Sequence, residues 1–163
     1  MVSRTIEDGA MEKKNTRFLL IVLVLLVSLL LAVLRSRLQV TLDIVWFMMG
    51  AFAGTLFVPA VDKLLPPQSI PATRSILFIL GFCAVSFFVV TSATGTLAQG
   101  LVIALGLSLL LVQIEEYSKV GNLASWYRLL AHVPSGRTQL TILWGYGIFM
   151  GVLTILLLLR GTV

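Results

Sequence analysis

Apolar residues along this chain come in long blocks separated by short polar breaks. Residues 18–34 are mainly Leu and Val, interrupted only by Ser28 and Ala32, and residues 44–61, 75–91, 97–114 and 140–159 form four more blocks. Each approaches the length a helix needs to cross a hydrocarbon core about 30 Å thick. The breaks carry the chemistry of helix ends. Arg35-Ser36-Arg37 follows the first block, and Thr41 or Asp43 offers an N-cap for the second. Asp62-Lys63 closes the second block, and Pro66, Pro67 and Pro71 exclude a helix beyond it. Only Ser92-Ala93-Thr94-Gly95-Thr96 separates the third block from the fourth, which predicts a tight antiparallel hairpin. One helix through both would overshoot the bilayer. The pattern predicts an all-α polytopic membrane helix bundle with five transmembrane helices.

The segment 117–133 has a different pattern. Tyr117, Val120, Ala124, Tyr127 and Ala131 recur at alternating intervals of three and four, with Leu123 and Leu130 on the same face. Ser118, Lys119, Asn122, Ser125 and Arg128 take the opposite face. That period predicts an amphipathic helix on the membrane surface, too polar to span and ended by Pro134-Ser135-Gly136. Trp126 and Tyr127 suit the headgroup layer, and with Lys119 and Arg128 they are the candidate contacts for lipid or a partner. Residues 1–17 are polar and of mixed charge, which predicts a short, loosely ordered tail ahead of a single membrane domain over 18–163. The first block lacks a small-x-small cleavage pattern before Arg35, so it reads as a retained span and not a signal peptide.

Composition agrees with a membrane setting. The 163 residues are 58% hydrophobic and 12% charged, against about 25% charged in soluble domains. The net charge of +5 sits beside the apolar blocks, and no basic stripe with aromatic platforms points to nucleic acid. With five spans, Arg4, Lys13, Lys14, Arg17, Lys63, Arg74, Lys119, Arg128 and Arg137 share one side, and only Arg35, Arg37 and Arg160 the other. This bias of nine to three predicts a cytoplasmic N-terminus and an outside C-terminus, in a plasma or inner membrane.

Candidate chemistry is sparse. One His and one Cys cannot supply a zinc site. Cys83 has no disulfide partner, and His132 and Ser135 lie in a break with no nucleophile elbow nearby. No catalytic, cofactor or metal residue is assigned, and the chain reads as a non-enzyme. The blocks contain no Lys, Arg, Asp or Glu in their interiors, which excludes a charged relay. Asp62, Glu115 and Glu116 fall on the cytoplasmic side as span caps or as a candidate acidic cluster.

Small residues give the sharpest signal. Gly50 and Gly54, Gly147 and Gly151, and the series Gly100, Ala104 and Ser108 all have the four-residue spacing that brings helix backbones together. The leading expectation is a non-enzymatic membrane subunit or scaffold that meets the bilayer and either other subunits or a second copy. The alternative is a small oligomeric transporter or channel, with Thr55, Ser86, Thr91, Gln99, Ser108 and Gln113 as its polar path.

Overall fold

A computed structural model describes residues 2–36, 42–64, 72–92, 95–130 and 132–160, with side chains from Phe18 onward except at Asp62 and Ala72. Arg37, the Pro66-Pro67-Pro71 loop, the Asp62 side chain and the side chains of the N-terminal tail lie outside the described residues. The helices are α1 (Val2–Arg35), α2 (Leu42–Leu64), α3 (Ile76–Thr91), α4 (Thr96–Val120) and α5 (Gly136–Arg160), with 3₁₀ turns at Ala72–Arg74 and Ala124–Tyr127.

Four of these helices, α1, α2, α4 and α5, are long and apolar enough to cross a membrane. The fifth, α3, is apolar but has only 16 residues, about 24 Å at 1.5 Å per residue. The chain is a multi-pass membrane protein. Phe88, Trp144 and Ile148 are each about two-thirds exposed, which water would penalise and lipid would not.

Two expectations about local structure are corrected. The tail expected to be loose is the first part of α1, which begins at Val2. Ala10, Met11, Glu12, Lys13 and Lys14 are strong helix formers and no proline intervenes. The expected amphipathic helix over 117–133 does not form. Tyr117–Val120 are instead the last turn of α4, which ends at Gly121 in the left-handed region with φ of 74°. The Gly121 N–H donates to the Tyr117 carbonyl at 2.8 Å. A glycine takes this conformation without Cβ strain, so the helix stops where helical periodicity alone would carry it on.

The bundle is organised around α4, half of whose residues are buried and which touches every other helix. Its closest neighbour is α2. Gly50 lies against Leu97 and Leu101, and Gly54 against Leu101 and Leu105, so the two helices run parallel. A Cβ on Gly50 would overlap the Leu97 carbonyl oxygen, and one on Gly100 would overlap the Phe47 carbonyl oxygen. Ala51 and Ala104 are fully buried in the same seam with Val24 of α1. Backbone contact of this kind supplies the dispersion that holds helices together where lipid removes the hydrophobic drive.

Helix α5 packs antiparallel to α4. Its Tyr146 hydroxyl donates to the Gly106 carbonyl at 3.0 Å, and Met150 fills the space beside Gly106. Helix α3 lies against both, with Ile79 near Leu143 at one end and Val90 near Arg160 at the other. The near end of the bundle thus holds the C-termini of α2 and α4 and the N-termini of α3 and α5. The far end holds Arg35, Gln99 and Arg160.

Candidate functional site

A cleft of about 490 Å³ opens at the near end between α1, α2 and α4. Ile21 of α1, Val58 and Pro59 of α2 and Leu111 and Val112 of α4 form its apolar walls. Lys63, Arg74, Lys119, Glu115 and Glu116 form its rim. The fold makes the rim charged because three helix ends meet there. α2 ends in Lys63, the turn before α3 ends in Arg74, and the last turns of α4 carry the two glutamates and Lys119. Deeper in, Thr55 and Ser108 face the cleft. The Thr55 hydroxyl donates to the Ala51 carbonyl at 2.7 Å, whereas the buried Ser108 Oγ has no hydrogen-bond partner among the described residues. Pro59, lacking an N–H, cannot donate to the Thr55 carbonyl four residues before it.

The two glutamates have separate roles. Glu115 pairs with Lys119 one turn on, at 2.5 Å. Glu116 faces the loop that follows α4, where it accepts from the Ser125 hydroxyl and, at 2.9 Å, from the Trp126 indole N–H. Gln139 of α5 holds the other side of that loop. Its Oε1 accepts from the Leu123 N–H at 2.7 Å and its Nε2 donates to the Pro134 carbonyl at 2.8 Å. Ser135 accepts from the Thr138 N–H and so caps α5, which is the structural use of a serine first noted beside His132.

These contacts revise the sequence reading of the loop. Trp126 and Tyr127, expected to be headgroup anchors, are buried at 1% and 2% exposure in the protein core. With Ile76, Ile79, Gln113, Leu143 and Tyr146 they surround a small cavity of about 10 Å³, roughly one water. Burial raises the Tyr127 phenol above its ordinary pKa and keeps it neutral. Arg128 is exposed beside them. Of the candidate acidic cluster, Glu115 and Glu116 share the rim of the cleft and bond to different partners, and the Asp62 side chain lies outside the described residues. No group of three or more His, Cys, Asp or Glu able to hold a metal is found among the described residues.

The packing residues divide in two. Gly50, Gly54, Gly100 and Ala104 make the α2–α4 seam, and Ser108 continues the α4 series into the cleft. The close contacts expected at Gly147 and Gly151 are not made among the described residues. A Cβ on Gly151 would meet nothing within 4 Å, and one on Gly147 only Leu110 Cδ1 at 4.0 Å. The reason is rotational. Gln139, Leu143, Tyr146, Met150, Leu153 and Leu157 are the buried residues of α5, which leaves Gly147 at the edge of the α4 contact and Gly151 outside it.

Sequence reasoning missed the far-end contacts. Arg35 donates to the buried Gln99 side chain, and Arg160 donates to the Val90 carbonyl at 2.9 Å. Each arginine follows an apolar block and folds back on a neighbouring helix end. Comparison with known proteins finds no match: no family model, curated protein or solved structure aligns significantly with the chain.

Proposed function

We propose that this chain is a non-enzymatic subunit or scaffold of a membrane assembly. The observation that carries this reading is the closed centre of the bundle. Ala51, Ile103, Ala104, Leu109, Met150 and Leu153 are buried at 0–1% exposure, and α2 and α4 touch backbone to backbone through the glycine seam. Four of the six polar residues considered for a path are spent locally. Thr55, Ser86 and Thr91 donate to carbonyls of their own helices, and Gln99 accepts from Arg35 at the far end. A single chain packed this way favours a static role over conduction.

The outer face of α5 supports association. Trp144, Ile148, Gly151, Val152 and Ile155 are all exposed on it, and Gly151 leaves a shallow notch where another helix approaches closely. The finer topology belongs to the same proposal. Five crossings, with α3 as a short one, put the N-terminus in the cytoplasm and the C-terminus outside by the excess of Lys and Arg at the near end.

Purification in mild detergent tests the function. A complex larger than one chain, with stable stoichiometry, is expected. Solute flux through liposomes containing only this chain would sink the scaffold reading in favour of the transporter.

A further inference from the structure

We propose that the cleft between α1, α2 and α4 holds a single phospholipid with an anionic headgroup. Its phosphate lies among Lys63, Arg74 and Lys119, and its first acyl carbons lie along Ile21, Pro59 and Val112.

Four observations lead there. The first is the medium at the mouth. Phe18, Leu19 and Leu23 lie on the other faces of α1, the helix that forms one wall, and are exposed at 65%, 65% and 47%, so that wall borders lipid and a ligand with apolar carbons arrives along it. The second is charge. Among the described side chains the rim carries three cations and two carboxylates, a formal balance of plus one with the Asp62 side chain left aside. Glu116 is committed to Ser125 and Trp126, and Glu115 to Lys119. Lys63 is exposed and makes no ion pair with any described residue. A phosphodiester complements that balance, and a free ammonium does not.

The third observation is polarity at depth. The Ser108 hydroxyl has no partner among the described residues and is closed off at the floor of the cleft, so an ester carbonyl accepts from it once an acyl chain spreads the walls. An unpartnered buried hydroxyl is costly in an apolar wall, and a ligand oxygen removes that cost. The fourth is size. A volume of about 490 Å³ falls within the range of about 300–1,000 Å³ typical of small-ligand sites. It accommodates a headgroup and the start of a chain, and the rest of the chain lies in the bilayer.

The test is native mass spectrometry of the full chain released from nanodiscs of equal phosphatidylglycerol and phosphatidylcholine. One phosphatidylglycerol retained in preference to phosphatidylcholine is expected. Lys63→Gln and Lys119→Gln should each lower that retention about fivefold, the equivalent of one cation near an anionic headgroup. Glu115→Gln should raise it, because Lys119 then loses its internal partner. Arg137→Gln, at the same end but outside the cleft, should leave it unchanged. Val112→Trp should abolish retention by filling the cleft. If that variant fails to insert, the two exposed lysines still decide the matter.

Equal retention of both lipids, or retention indifferent to Lys63 and Lys119, overturns the proposal. Protection of the detergent-solubilised protein against heat by inorganic phosphate, matching that by short-chain phosphatidylglycerol, would assign the rim to a free anion and also overturn it.

Discussion

The indole N–H of Trp126 donates to Glu116 Oε2 at 2.9 Å, across a gap of ten residues that includes the end of α4 and the left-handed turn at Gly121. The other oxygen of the same carboxylate accepts from Ser125. One side chain on the last turns of a spanning helix therefore determines where the following loop re-enters the core.

Removing that anchor has a measurable cost. Glu116→Ala leaves the buried Trp126 N–H without its acceptor, and hydrogen bonds to charged groups contribute about 1.5–3 kcal/mol. A loss of that order is expected in unfolding monitored by tryptophan fluorescence in detergent. Trp126→Phe should cost less than Trp126→Ala, because it keeps the buried ring and loses only the polar handle. Equal melting of Glu116→Ala and the parent would mean that the carboxylate does not hold the loop.

Gly121 is the second determinant of that path. With φ at 74°, Gly121→Ala should destabilise by about 1–2 kcal/mol through Cβ strain, although its Cβ would meet no neighbour within 4 Å. Gly121→Asn should recover part of the loss, since Asn tolerates the left-handed region. If Ala is as good as Gly in a melting curve, α4 does not end as described.

The two glycine pairs should respond differently. Gly54→Leu drives a side chain into the Leu101 carbonyl and should cost about 1–3 kcal/mol or prevent folding. Gly151→Leu meets open space and should melt like the parent as an isolated chain. The assembly is the place to look for its effect. A shift to smaller particles on size-exclusion chromatography for Gly151→Leu identifies the α5 face as an interface, and an unchanged profile assigns that face to lipid.

Topology gives the fourth expectation. Reporter fusions should place the N-terminus in the cytoplasm and the C-terminus outside, following the nine-to-three bias of basic residues. Both ends on one side would mean that α3, at 16 residues, does not complete a crossing.

The helices were legible in the sequence because lipid demands long apolar blocks, and blocks are visible without any knowledge of contacts. The Gly50 and Gly54 seam was legible too, since four-residue spacing puts small residues on one face whatever that face meets. The rotation of α5 was not legible. Gly147 and Gly151 have the same spacing as Gly50 and Gly54, and only the packing of Tyr146 and Met150 around Gly106 decides which way they point. The loop after α4 misled for a related reason. Leu123, Trp126 and Tyr127 are apolar at helical intervals, but the core of the protein covers them, not the membrane surface. One residue with positive φ breaks the helix between Val120 and Leu123, and periodicity is blind to it. The cleft was invisible because its rim is gathered from three helix ends far apart in the chain.

The parallel pairing of α2 with α4 also constrains the order in which the chain can be assembled. The face presented by Gly50 and Gly54 finds its partner only when Leu101 and Leu105 have been made, roughly fifty residues later, or about 3–10 s at ribosomal rates of about 5–20 residues per second. During that interval the backbone strip of α2 is uncovered, and α3 must be made before the match can form. A nascent chain stalled after Thr91 would therefore carry an open glycine seam.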